Sequence, residues 1–114
     1  MISRRFVVAA FALGLSAFVA PQISFAGENH VAEAIEHTKE AITIGRAGQS
    51  DKFVDHSEEA LKHAQAAEAE KANPHTEEAI KHLQEGIKVG SKGHVDDGVK
   101  HAKEALTHLE EAQK

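Results

Sequence analysis

The chain contains no cysteine, tryptophan or tyrosine, and only two prolines and one methionine in 114 residues. Without cysteine there is no disulfide, no thiolate site for zinc or iron–sulfur, and no Cys-x-x-Cys-His for covalent haem. The one methionine is Met1, so thioether ligands are lacking as well. Of five phenylalanines, four (Phe6, Phe11, Phe18 and Phe25) precede residue 26 and only Phe53 follows. One aromatic side chain and no basic patch leave neither a stacking platform nor an electrostatic footprint for nucleic acid. No stretch alternates apolar and polar residues as a half-buried strand does.

The one long apolar run, Phe6 to Ala20, follows Arg4-Arg5 and precedes Ser24-Phe25-Ala26. That is a charged region, an apolar region and a small-x-small cleavage site, so residues 1–26 are expected to be a signal peptide cut after Ala26. The run is short for a membrane span, which needs about 20 apolar residues. Ser3-Arg4-Arg5 fits a twin-arginine signal only loosely, so the ordinary secretory route is favoured. The expected mature domain, residues 27–114, is periplasmic and free of the membrane. Removing Arg4 and Arg5 leaves 11 basic against 18 acidic residues, a net charge of −7 with neutral histidine. A chain this short, with no covalent staple, has a small core.

Apolar residues recur at helical spacing in four stretches. Val31, Ala34, Ile35, Ala41 and Ile42 mark a first helix, with Asn29 as a candidate cap and Gly45 and Gly48 at its end. A second starts near Ser50 or Asp51 and carries Phe53, Val54, Ala60, Leu61, Ala64 and Ala67. Asn73-Pro74 is a cap followed by proline at the first helical position. The third helix then carries Ala79, Ile80, Leu83 and Ile87 to Gly90. The fourth, from about His94, carries Val95, Val99, Ala102, Ala105, Leu106 and Leu109. Aligning residues 28–69 with 73–114 gives 17 identities in 42 pairs, an internal duplication with a 45-residue offset. The expected fold is all-α: an antiparallel up-down-up-down four-helix bundle of two duplicated helical hairpins, about 28–71 and 73–114.

Histidine is abundant, nine residues in all. His30 and His37, His56 and His63, His75 and His82, and His94, His101 and His108 are spaced by seven, two helical turns. Eight carry an acid three residues later: Glu33, Glu40, Glu59, Glu78, Glu85, Asp97, Glu104 and Glu111; His63, followed by Ala66, does not. On each helix the histidines edge the apolar stripe, with the acids further towards solvent. Histidine persists at these positions where Lys or Glu would suit solvent better, which marks all nine as candidate metal ligands and the eight acids as candidate co-ligands. Two histidines seven apart are about 10 Å apart along the axis, too far for one ion bound at about 2 Å. A local unit must therefore be a histidine with the acid at i+3, or at i−4 as in Glu33/His37 and Glu59/His63, completed from a neighbouring helix. In an antiparallel bundle His30, His63, His75 and His108 share an end layer, and His37, His56, His82 and His101 a middle layer. His94 lies towards the far end. The histidines line two seams, either 1–2 and 3–4 or 2–3 and 4–1. Imidazole and carboxylate without sulfur suit Cu(II), Ni(II) and Zn(II), with Cu(II) tightest by the Irving–Williams order.

These heptad His-x-x-Glu-Ala-Ile-x-His repeats, the secretory leader and the cysteine-free hairpin pair resemble the small metal-binding protein family of nitrifying bacteria. The resemblance spans residues 27–114. It implies a monomeric periplasmic bundle that binds several divalent ions, copper above all, in metal tolerance or buffering. Ile44, Gln49 and Val89 fill heptad positions that could hold further histidines.

Enzyme readings do not fit. A ferritin-like di-iron site needs Glu-x-x-His on paired helices, and the residue three before each histidine is Gly, Ala, Phe or Ser. Histidines at the stripe edge over an alanine-rich core leave no pocket for haem. The competing class is a periplasmic stress or interaction bundle without metal, its histidines sensing acid.

Overall fold

A computed structural model describes residues 26–114. It contains four α-helices: α1 (Ala26–Arg46), α2 (Ser50–Glu70), α3 (Pro74–Ser91) and α4 (Val95–Gln113). Each packs against two neighbours, α1 on α2 and α4, α3 on α2 and α4, which makes the expected four-helix bundle. The expected signal peptide lies, but for Ala26, outside the described residues. Among the described residues no helix is long and apolar enough to cross a membrane.

The two hairpin loops are built alike. Gly48 and Gly93 have φ of 83° and 88°, a left-handed conformation that glycine adopts without strain. The Gln49 amide donates to the Ile44 carbonyl and the Gly48 amide to Gly45; His94 to Val89 and Gly93 to Gly90 repeat the pattern. These paired bonds close the helix ends as a Schellman motif and send the chain straight into an antiparallel partner. Between the hairpins Asn73 caps α3, its Oδ1 accepting from the His75 amide at 2.8 Å, with Pro74 next. Asn29 is not a cap. It lies inside α1, whose preceding residues are already helical, so no unsatisfied first-turn amides await its side chain.

The core has two parts. Val31, Ala34, Ile35, Ala60, Ala64, Ala67, Ala79, Leu83, Ala105 and Leu109 fill the end away from the hairpin loops. Ala41, Ile42, Phe53, Val99 and Ala102 fill the loop end. Phe53 is fully buried and its ring occupies space that glycines leave free. A Cβ on Gly98 would stand 2.6 Å from the Phe53 Cε2, and one on Gly90 2.9 Å from the Cδ2. Gly98 is the duplicate of Phe53, so one ring serves both halves of the repeat at this level. The alanine stripe lets the helices approach closely and leaves the histidines at the rims of the seams.

Candidate metal centres

The histidines face one another across the α1–α2 and α3–α4 seams, one of the two arrangements open to the sequence. The hand of each tight hairpin decides which stripe edges meet. In the end layer His30 and His63 stand Nδ1 to Nδ1 at 3.1 Å, and His75 and His108 at 3.2 Å. In the middle layer His82 and His101 stand Nδ1 to Nδ1 at 3.4 Å, and the rings of His37 and His56 are 6.0 Å apart. The layers are joined diagonally by stacked rings, His37 on His63 at 5.6 Å and His82 on His108 at 5.8 Å. Each hairpin therefore carries a zigzag of four imidazoles, His30–His63–His37–His56 and His75–His108–His82–His101. Two nitrogens bound at about 2.0–2.1 Å to one ion in tetrahedral geometry stand about 3.3 Å apart. The three Nδ1 pairs already stand close to that separation.

Carboxylates complete three groups whose ligand atoms lie within 4.8 Å of one another: Glu33/His37/His63, His37/Glu40/His56 and Glu78/His82/His108. In each, an acid and a histidine come from one helix and the second histidine from its hairpin partner. Glu33 and Glu78 serve the histidine four residues later, and Glu40 the one three residues earlier. Glu40 Oε1 lies 3.5 Å from His37 Nδ1 and 3.2 Å from His56 Nδ1. Both Nδ1 atoms are buried and neither makes a hydrogen bond of acceptable geometry. Two adjacent imidazole nitrogens without a donor or acceptor partner, flanking a carboxylate, are what a bound cation would satisfy. An open depression of about 310 Å³ beside them is lined by Lys39, Glu40, Thr43, Ile44 and His56.

Other candidates stay outside such groups. His75 and His101 are paired with a histidine only, and His30 with His63 and the more distant Glu70. His94 is exposed at the start of α4. Glu59, Asp97 and Glu111 lie beside Lys62, Lys100 and Lys114 at 3.6, 3.9 and 3.1 Å. Glu85 and Glu104 are exposed and join no group. Glu70 was not marked by the i+3 rule, yet its Oε2 is 4.0 Å from His30 Nε2. Its signal is the heptad: it follows His63 by seven and so continues the same edge of α2. Burial pushes the His63 imidazole below the usual histidine range; His30 and His37 press the same way, while Glu33 and Glu59 oppose. A neutral imidazole is the form that binds metal.

The family model described as "Small metal-binding protein" matches residues 4–112, nearly the whole chain. The chain belongs to the small metal-binding protein family. Metal ions are thus the partners of this family member, and binding rather than catalysis is the role its family description gives. No curated protein matches the chain in sequence. The His/Glu groups are where this small metal-binding protein offers ligands of the right kind, at spacings an ion can bridge.

Proposed function

We propose that the mature chain is a monomeric periplasmic binder of several divalent transition-metal ions, Cu(II) preferred over Ni(II) and Zn(II), acting in metal buffering or sequestration. The observation that carries this reading is the combination of cross-helix Nδ1 pairs at 3.1–3.4 Å with three groups of two histidines and one carboxylate. The donor set supports the choice of metal: nitrogen and oxygen donors, with neither thiolate nor thioether in the mature chain, favour Cu(II) over Cu(I). The leader sequence supports export. All three groups lie in the seams near solvent, which suits uptake and release more than permanent retention. Calorimetric titration of the mature chain with Cu(II), Ni(II) and Zn(II) tests the reading. The expected result is more than one Cu(II) per chain, bound tighter than Ni(II) or Zn(II). His37→Ala and His82→Ala are each expected to lower the copper stoichiometry. A chain that takes up no Cu(II), or takes it up equally well in both variants, removes the proposal.

A further inference from the structure

The two halves of the duplication are not equivalent as metal binders. Hairpin α3–α4 closes one three-residue group, Glu78/His82/His108, whereas hairpin α1–α2 closes two, Glu33/His37/His63 and His37/Glu40/His56. Those two share one residue, His37. The duplicate of the second group would be His82/Glu85/His101, and it does not close: Glu85 joins no group.

A neutral imidazole carries one lone-pair nitrogen and one N–H. It can therefore ligate one ion at a time; ligating two requires loss of the N–H proton and the placing of two dications on one ring. His37 sits between both sets of partners, its ring 5.6 Å from that of His63 and 6.0 Å from that of His56. Both acids are on the same helix as His37, Glu33 one turn before it and Glu40 one turn after. Resting on the metal-binding reading above, we propose that these two groups are one centre with two alternative positions for a single ion. His37 is the ligand common to both positions, and the ion moves along the seam by exchanging Glu33 and His63 for Glu40 and His56. The second position borders the 310 Å³ depression and is the one through which the ion enters and leaves. No bond of the protein is made or broken in the exchange beyond ligand substitution at the metal. Hairpin α3–α4, with one closed group, has no such second position.

The test counts tightly bound ions in the mature chain by native mass spectrometry, with Cu(II) as the probe and a weak chelator present. Glu33 and Glu40 are both exposed, so their substitution leaves the fold intact. Glu33→Gln and Glu40→Gln are each expected to keep the wild-type count, because one position survives. The double variant and His37→Ala are each expected to lose one ion. Electron paramagnetic resonance of the His82→Ala chain at one equivalent should show two copper components, and either single Gln variant should collapse them to one. The proposal is overturned if either single variant loses an ion, if His37→Ala loses two ions or none, or if copper-saturated wild type contains a spin-coupled pair. A wild type that holds no Cu(II), or that keeps its full count in both His37→Ala and His82→Ala, overturns the underlying metal-binding reading as well.

Discussion

Replacing Phe53 with alanine should come close to unfolding the metal-free protein. Phe53 is wholly buried, and large-to-small changes of a buried phenylalanine cost about 3–5 kcal/mol. The upper part of that range applies here, because the cavity cannot collapse. Part of its wall is Gly86, Gly90 and Gly98, which have no side chain to swing inwards. A domain of this size has a total stability of about 4–13 kcal/mol at 0.05–0.15 kcal/mol per residue. At about 4–8 °C per kcal/mol, a loss of about 4 kcal/mol or more should lower the midpoint by at least about 16 °C. The assay is a thermal melt followed by helical circular dichroism, with chelator present. The same packing predicts that the effect of a substitution at Gly98 depends on Phe53. In the parent chain Gly98→Ala drives a Cβ to 2.6 Å from the ring, an overpacking of about 1–3 kcal/mol only partly offset by the roughly 1 kcal/mol gain in helix propensity. In the Phe53→Ala chain the ring contacts are gone and only the 3.2 Å approach to the Gly86 carbonyl remains, so the same substitution should cost clearly less than in the parent. If Phe53→Ala melts within about 5 °C of the parent, or Gly98→Ala acts alike in both backgrounds, the ring-in-glycine account of this end of the core is wrong.

Other outcomes follow from the seams. His94→Ala should remove less bound copper than His37→Ala, since His94 is exposed and joins no group of ligands; equal or reversed losses on titration would contradict the layer arrangement. Cu(II) should raise the melting midpoint clearly at pH 7.5, by about 2.7 kcal/mol of stabilisation at a hundredfold excess over Kd, and little at pH 5, where protons occupy the imidazoles. Paired melts at each pH with and without Cu(II) check this, and an equal shift at both would mean that histidine is not the ligand. The lowered pKa of His63 means that the unfolded chain binds more protons than the folded one below the ordinary histidine value of about 6.5. Metal-free stability should therefore fall as pH drops from there through the folded-state pKa, and His63→Gln should flatten this slope in denaturant titrations. An unchanged slope would show that the burial of His63 has no effect on stability.

Much of this molecule is legible in the residues because helices and their caps are local. The recurrence of apolar residues, Asn73-Pro74 and the loop glycines mark the four helices closely, except at the start of α1, which begins at Ala26 rather than after Asn29, and the 45-residue repeat makes two hairpins. Asn29 misleads because whether a cap is used depends on whether the chain before it is helical. The histidine edge is also local, a matter of spacing by seven. Periodicity names the ligand types and shows that no single helix can complete a site. It leaves two pairs of seams open, and the hand of the hairpins, a property of the folded loops, selects α1–α2 and α3–α4. Glycine shows the same division. Sequence reads Gly45 and Gly90 as helix punctuation, but in the bundle they and Gly98 make room for one phenylalanine. The carboxylates divide last: eight acids share one spacing from histidine, and the sequence alone sets that spacing and the chemistry of nitrogen and oxygen donors. Only the packed seam decides that Glu33, Glu40 and Glu78 come within reach of two imidazoles, Glu78 while also pairing with Lys81 at 3.3 Å, whereas Glu59, Asp97 and Glu111 stay with the lysine three residues on in their own helix, because the i+3 lysine is local and the second imidazole is brought by the partner helix.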